Sequence, residues 1–304
     1  MRKNAAFSNW LVVSRIPFLS VSALPFILGT FLAYRIYNSF NLAVFILSFT
    51  GVVLIQLATH YNGEVYDTEE DILAAGMGRN IFTGGSQMVI QNKIKAKSVK
   101  LAAEIAVLAA LVIGLILQFW FKTGIWTLPL GLSGIAAGFF YSKPPYRWVK
   151  RGIGEILIAY GFGWLPLAAA FYVQGQNIIP ILTLVSLPVA LTVFNIILIN
   201  EFPDFIADRQ AGKTNLLVRV GKARGANIYI GCAIAAIIFF FISTLRGIPK
   251  RAIIFYLPAL LISSLNISTM LNLGYRDRLL LERTCGLTIL VNLLTTLAYI
   301  LACI

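Results

Sequence analysis

Of the 12 Asp and Glu residues in this 304-residue chain, five fall within residues 64–71 and three within 201–208. The first group reads Glu64-Val65-Tyr66-Asp67-Thr68-Glu69-Glu70-Asp71 and the second Glu201-Phe202-Pro203-Asp204-Phe205-Ile206-Ala207-Asp208. Both fit ExxDxxxD, 137 residues apart. On a helix, steps of three and four residues set all three carboxylates on one face, where like charges repel unless a cation joins them. Oxygen-only ligands without a histidine partner favour Mg²⁺, which keeps waters and bridges carboxylates to phosphate oxygens. Two such clusters facing one another would hold a diphosphate between metal ions. Either cluster alone reads as a solvated acidic helix end; the repetition favours the paired site.

The elements that must position these clusters are membrane helices. The chain is 59% hydrophobic and 12% charged, with mean hydropathy +0.83, whereas soluble domains carry about 25% charged residues. Disorder, collagen-like repeats and a soluble globular enzyme are excluded. Apolar segments of bilayer-spanning length fall at roughly 10–34, 40–63, 98–120, 123–141, 153–173, 178–200, 225–245, 252–271 and 280–303. The expected fold is therefore an all-α bundle of nine transmembrane helices, one domain over 1–304. The opening Met1-Arg2-Lys3-Asn4 runs into the first span and reads as part of it rather than as a removed signal.

Nineteen of the 25 Lys and Arg lie at the N-terminus or in the loops after the even spans, five lie on the opposite side, and Arg15 falls inside the first span. The positive-inside rule puts the N-terminus and the even loops, with both acidic clusters, in the cytoplasm. The same basic loops account for the net charge of +13 without a nucleic-acid partner. Each cluster ends an even span, four spans apart, which implies a parallel internal repeat of about four helices. Cys232, Cys285 and Cys303 sit in apolar stretches and read as small hydrophobes.

In these motifs the chain resembles the UbiA superfamily of intramembrane prenyltransferases, whose aspartate-rich motifs follow the second and sixth helices. Gly63 stands where that family usually has Asn and Glu64 where it usually has Asp, with Asn62 one position early; the second motif, from Asn200, matches without a gap. Between them, Tyr141-Ser142-Lys143-Pro144-Pro145-Tyr146-Arg147-Trp148-Val149-Lys150-Arg151-Gly152-Ile153-Gly154-Glu155 is similar to the family's YSxPPxRxKxxGxGE segment. Thr83-Gly84-Gly85-Ser86 resembles the quinone-type and archaeal-type branches.

The resemblance implies transfer of a polyprenyl group from a polyprenyl diphosphate to an aromatic acceptor, first among candidates 1,4-dihydroxy-2-naphthoate. Glycerol-phosphate lipid, chlorophyllide and haem are the other acceptors. It implies Mg²⁺ held by Asp67, Asp71, Asp204 and Asp208, with Glu64, Glu201 and Asn200 as further ligands or their partners. Lys143, Arg147 and Lys150 would contact phosphate oxygens, Lys213 less centrally, and Asn62 is a candidate for the missing amide. Tyr141, then Tyr66, would offer a π face to the allylic cation. Arg15 either snorkels to the interface or points inward to the diphosphate. His60, the only histidine, reads as a hydrogen-bonded interior residue or as an acceptor-binding group. A transporter for an anion or metal ion is the alternative from another class.

Overall fold

The computed structural model describes residues 2–76 and 85–304, with Arg2–Ala6 as backbone alone. Arg79 and the Thr83-Gly84 pair of the sequence reading lie outside the described residues. Among the described residues eight helical segments are long and apolar enough to cross a bilayer, starting with Ile16–Tyr37 and ending with Arg278–Cys303. The fourth expected span, 123–141, is α6, Thr127–Phe139, only 13 residues. At 1.5 Å per residue it is about 20 Å long, short of a hydrocarbon core.

The helices are inverted relative to a soluble bundle. On α5, Ala96–Leu115, the large side chains Leu101, Ile105, Leu108, Val112 and Leu115 are exposed at helical spacing, a stripe suited to lipid. On α12, Ala252–Leu271, Ile254, Leu257, Leu261 and Leu265 form another. The polar groups turn inward: Asn266 donates to the Tyr229 hydroxyl at 3.2 Å, and Asn292 donates to Thr192 Oγ1 at 2.9 Å. Without water in the bilayer core, each such group must find a partner inside.

Packing repeats. Helix α3, Leu42–Tyr66, packs on α5, and α9, Pro180–Gln210, packs likewise on α11, Lys222–Leu245. The final helix α13, Arg278–Cys303, closes the ring against α9, α12 and α2, Ser20–Tyr37.

Three local departures from straight helices matter for the site. The expected first span breaks at Arg15, whose φ is 48°, between α1, Arg2–Ser14, and a 3₁₀ turn at Ile16–Leu19. Pro17 disfavours helix at Ile16, which ends α1 there. In the fifth span, a π segment at Ala159–Trp164 joins α7, Gly154–Ile158, to α8, Leu165–Gly175; Pro166 has no N–H to continue the ladder. Within α9, Pro203 cannot donate to the Ile199 carbonyl one turn earlier, and the Cys285 thiol of α13 does so instead, at 3.7 Å. That thiol is a weak donor as well as a small hydrophobe.

Candidate active site

The two acidic clusters meet at one end of the bundle through different local structures. Helix α3 stops at Tyr66, Asp67 caps it with φ −102° and ψ 20°, and a new helix, α4, begins at Thr68 and runs to Gly76. The first motif is therefore bent at Asp67, not carried on one helical face as its spacing predicts. The second motif stays on α9 throughout. Helices α4 and α9 touch.

Between them lies a cavity of about 250 Å³, lined by Asp67 and Asp71 from the first motif and by Asn200, Glu201, Asp204 and Asp208 from the second. Arg15, His60, Tyr141 and Lys213 also line it. Its remaining wall is largely apolar, from Phe18, Val21, Ile158, Phe162, Val193, Ile196 and Ile197. The break at Arg15 and the π segment thus both deliver residues to this wall.

Asp67, Asp71 and Asp208 are each held in a specified orientation. The Ser142 hydroxyl donates to Asp67 Oδ2 at 2.5 Å, while Asp67 Oδ1 has no hydrogen-bond partner and lies 3.5 Å from the Arg147 guanidinium. Asp71 accepts the Gly85 backbone N–H. A Cβ on Gly85 would collide with Asp71 Oδ2 and stand 3.1 Å from Glu64 Oε2, so the close approach requires glycine. Asp208 accepts from Lys213 at 3.0 Å and from Asn215 Nδ2 at 2.8 Å. Asn215 also caps α10, Leu216–Val220, through Val218 N–H at 2.9 Å.

The first acid of each motif does different work. Glu64, 2% exposed, accepts the backbone N–H groups of Ser86 at 2.7 Å and Val89 at 3.1 Å, and is not on the cavity wall. Glu201 reaches the cavity but accepts the Leu217 N–H at 3.4 Å. Each ties down the loop that follows its helix.

Other expected site residues are placed around the cavity rather than on it. Lys143 lies 3.5 Å from Glu104 and 4.1 Å over the Phe139 ring. Lys150 pairs at 2.6 Å with Glu70, a buried residue outside the spacing motif, and Arg147 reaches Glu70 at 3.5 Å and the Tyr66 carbonyl at 2.8 Å. Asn62 donates to the Phe139 carbonyl at 2.8 Å. Tyr66 contributes that carbonyl and no cavity-facing ring. Glu70 and Asn215, which carry no motif signal, complete the site together with Ser142 and Glu155 of the Tyr141–Glu155 segment; Glu155 accepts the Leu216 N–H at 2.7 Å. Thr214 donates to the Lys150 carbonyl at 2.5 Å and Arg219 to the Arg151 carbonyl at 2.8 Å, locking the loops together.

The electrostatics are those of anions short of a cation. Burial pushes the Asp67 carboxyl above its ordinary range despite Lys213 and the Ser142 hydrogen bond. Burial likewise pushes Asp71 up to about 7, against the Gly85 hydrogen bond. Burial opposes the Lys213 ammonium, yet Asp208 and Asp67 hold it well above its usual value. Glu70 is also burial-penalised, but its Lys150 hydrogen bond brings it below the carboxylate norm. Burial and then Glu155 keep the Tyr141 phenol protonated far above its normal range.

Oxygen donors with unmet demand fit a divalent metal. Asp67 Oδ1 and Asn200 Oδ1 are buried without hydrogen-bond partners, and the aspartates stand on opposite walls of the cavity. Among the described residues no three acid, histidine or cysteine side chains cage an ion by themselves. Mg²⁺ takes one or two carboxylates and completes its shell with water and substrate phosphate.

Fold and site together define a multi-pass membrane protein whose facing aspartates line a half-apolar cavity. The model of the UbiA prenyltransferase family matches residues 22–280, and the chain belongs to that family. It is a prenyltransferase, which decides against the transporter alternative. It is 28% identical over 223 residues to 2-carboxy-1,4-naphthoquinone phytyltransferase of Synechocystis, covering 72% of this chain and 68% of that one. To 1,4-dihydroxy-2-naphthoate octaprenyltransferase of Bacillus subtilis it is 26% identical, covering 71% and 67%. In fold it resembles a UbiA homolog from Archaeoglobus fulgidus bound to DMAPP and Mg²⁺, at 15% identity, 96% and 99% coverage and TM-score 0.62. The apo UbiA homolog from Aeropyrum pernix K1 aligns at 17% identity, 93% and 97% coverage and TM-score 0.69.

Proposed function

We propose that this protein transfers a polyprenyl group from its diphosphate to a hydroxylated naphthoate such as 1,4-dihydroxy-2-naphthoate, in an Mg²⁺-dependent reaction. The observation that carries the reading is the single cavity with Asp67 and Asp71 on one wall, Asp204 and Asp208 on the other, and hydrocarbon surface beyond them. The names of the sequence relatives support the naphthoate acceptor, and the ligands of the Archaeoglobus neighbour support diphosphate and Mg²⁺.

Bound Mg²⁺ would neutralise the departing diphosphate as the allylic C–O bond lengthens. Asp67 and Asp71 on one wall and Asp204 and Asp208 on the other would hold Mg²⁺ ions, with Asn200 as a further oxygen ligand. Lys213 and Arg15 contact phosphate oxygens. Arg147 and Lys150 brace the acidic wall through Glu70, and Lys143 stands apart. The protonated Tyr141 offers its ring to the developing allylic cation. The C–O electron pair leaves with the diphosphate, a ring carbon of the acceptor forms the new C–C bond, and the ring regains aromaticity by losing a proton or its carboxyl group as CO₂. Phe18, Phe162 and the aliphatic wall keep water from the cation.

The asymmetry of Lys and Arg supports a cytoplasmic site and N-terminus in a cell inner membrane, with residues 1–304 working as one domain. The test is purified protein in detergent with Mg²⁺, several prenyl diphosphates and an acceptor panel, with products identified by mass spectrometry. Prenylated naphthoate products are expected. Turnover only with a glycerol-phosphate lipid, chlorophyllide or haem acceptor would replace the naphthoate assignment.

A further inference from the structure

His60 and Gly63 on helix α3 and Asp67 at its C-cap follow one another at steps of three and four residues, up to the bend, and all three line the cavity. His60 lies about 10 Å deeper along the helix axis than Asp67, two turns toward the apolar end. Gly63 keeps the stretch between them open: a Cβ there would stand 3.7 Å from Asp67 Oδ2 and 3.8 Å from Ser142 Oγ, so a longer side chain would fill it.

The protonation of the His60 ring follows from its partner. Nδ1 lies 3.0 Å from the Ser14 carbonyl, which can only accept, so Nδ1 carries the proton. In the neutral ring Nε2 is then a bare acceptor. Among the hydrogen bonds between described residues none reaches Nε2; Arg15, which lines the same cavity, acts on the ring through its charge and has a partner of its own. Neighbouring polar groups on that wall are engaged: Gln56 donates to the Phe18 carbonyl at 2.8 Å and accepts from Ser22, and Thr59 donates to the Ile55 carbonyl at 2.9 Å. Phe18 and Phe162 supply flat apolar surface beside them.

We propose that His60 recognises the acceptor: its Nε2 accepts a hydrogen bond from a ring hydroxyl of an aromatic substrate seated across Gly63 from the diphosphate. This rests on the preceding reading of the acceptor as a hydroxylated aromatic. The hydrogen bond fixes the ring's orientation and raises electron density at the carbons adjoining the hydroxyl, where attack on the allylic carbon is needed. An aromatic without a free hydroxyl leaves Nε2 unpaired and is disfavoured.

Two experiments test it. In His60→Asn the shorter amide can still serve the Ser14 carbonyl but has no atom at the Nε2 position. The acceptor KM should rise about tenfold, and the preference for a free hydroxyl over its methyl ether should fall from about tenfold to near parity. The diphosphate KM and Mg²⁺ dependence should stay within about twofold. Because His60 is the only histidine, ¹⁵N-histidine labelling of the wild-type protein gives one imidazole. Its Nε2 resonance should shift on adding hydroxynaphthoate with an unreactive prenyl thiolodiphosphate, and not with the methyl ether. An unshifted Nε2, or a folded variant with wild-type acceptor KM and hydroxyl preference, overturns the inference while leaving the prenyl-transfer reading intact. If His60→Asn does not accumulate, the wild-type spectrum decides. Failure of the wild type to prenylate any hydroxylated aromatic removes both.

Discussion

Ser142 offers the sharpest perturbation of the proposed metal site, because one atom is removed and little else moves. Its hydroxyl is 1% exposed and donates to Asp67 Oδ2 at 2.5 Å. The backbone of its turn is secured independently by Val149 N–H to the Tyr141 carbonyl at 3.0 Å. Ser142→Ala therefore leaves the turn in place and releases the carboxylate. A hydrogen bond to a charged acceptor contributes about 1.5–3 kcal/mol, equivalent to roughly 10–150-fold in an equilibrium constant. Loss of such partners behind a metal ligand costs about 10–100-fold in metal affinity or activity. Its removal also lets the buried Asp67 carboxyl keep a proton more readily, since the hydrogen bond works against the burial-driven rise. In a prenyl-transfer assay titrated with Mg²⁺, half-saturation should rise by about one to two orders of magnitude. Turnover at saturating metal should return to within a few-fold of wild type. A variant with wild-type Mg²⁺ half-saturation, or with a defect that no Mg²⁺ concentration repairs, refutes the reasoning.

Three further outcomes follow from the same geometry. Lys213→Ala removes the ammonium on the cavity wall beside Asp208 and should raise the diphosphate KM about tenfold, whereas Lys143→Ala, which touches Glu104 and Phe139, should leave it within about twofold. Steady-state kinetics with the diphosphate varied separates the two. Gly85→Ala drives a methyl group into the Asp71 carboxylate; transfer should fall at least about tenfold while detergent-extracted protein elutes as wild type does. Glu155→Ala strips the Leu216 N–H of its acceptor and should destabilise the protein by about 1–3 kcal/mol, read as a lower thermal midpoint.

Much of this was written in residue types and spacing. The matched ExxDxxxD motifs located both acidic walls, and the long apolar runs located eight of the spans, with the boundaries of 252–271 matching α12 residue for residue. What spacing does not encode is where a helix stops. The 3.6-residue period runs through Asp67, but the chain ends one helix there and starts another at Thr68, so Asp71 is carried on a different helix from Glu64. Glu70 breaks the spacing and so carried no signal, yet it receives Lys150 and Arg147. Arg15 left two orientations open, and the Pro17 break sends it to the cavity wall. Ser142 and Glu155 belong to the Tyr141–Glu155 segment that the sequence does single out, but their partners Asp67 and Leu216, like the role of Asn215 beside Asp208, come into place only when the two halves pack, and tertiary pairing of that kind has no one-dimensional trace. The basic residues of the Tyr-Ser-x-Pro-Pro segment illustrate the same limit: their loop does adjoin the site, but Lys143 spends its charge on Glu104.

The central claim is that both aspartate walls grip one diphosphate through Mg²⁺, and equilibrium binding of an unreactive prenyl thiolodiphosphate tests it most directly. Wild-type protein should bind the analogue with Mg²⁺ and lose it on chelation, and Asp67→Ala and Asp208→Ala should each abolish the metal-dependent component while still inserting in membranes. Tight binding without divalent metal, or full metal-dependent binding retained by either variant, would contradict the account.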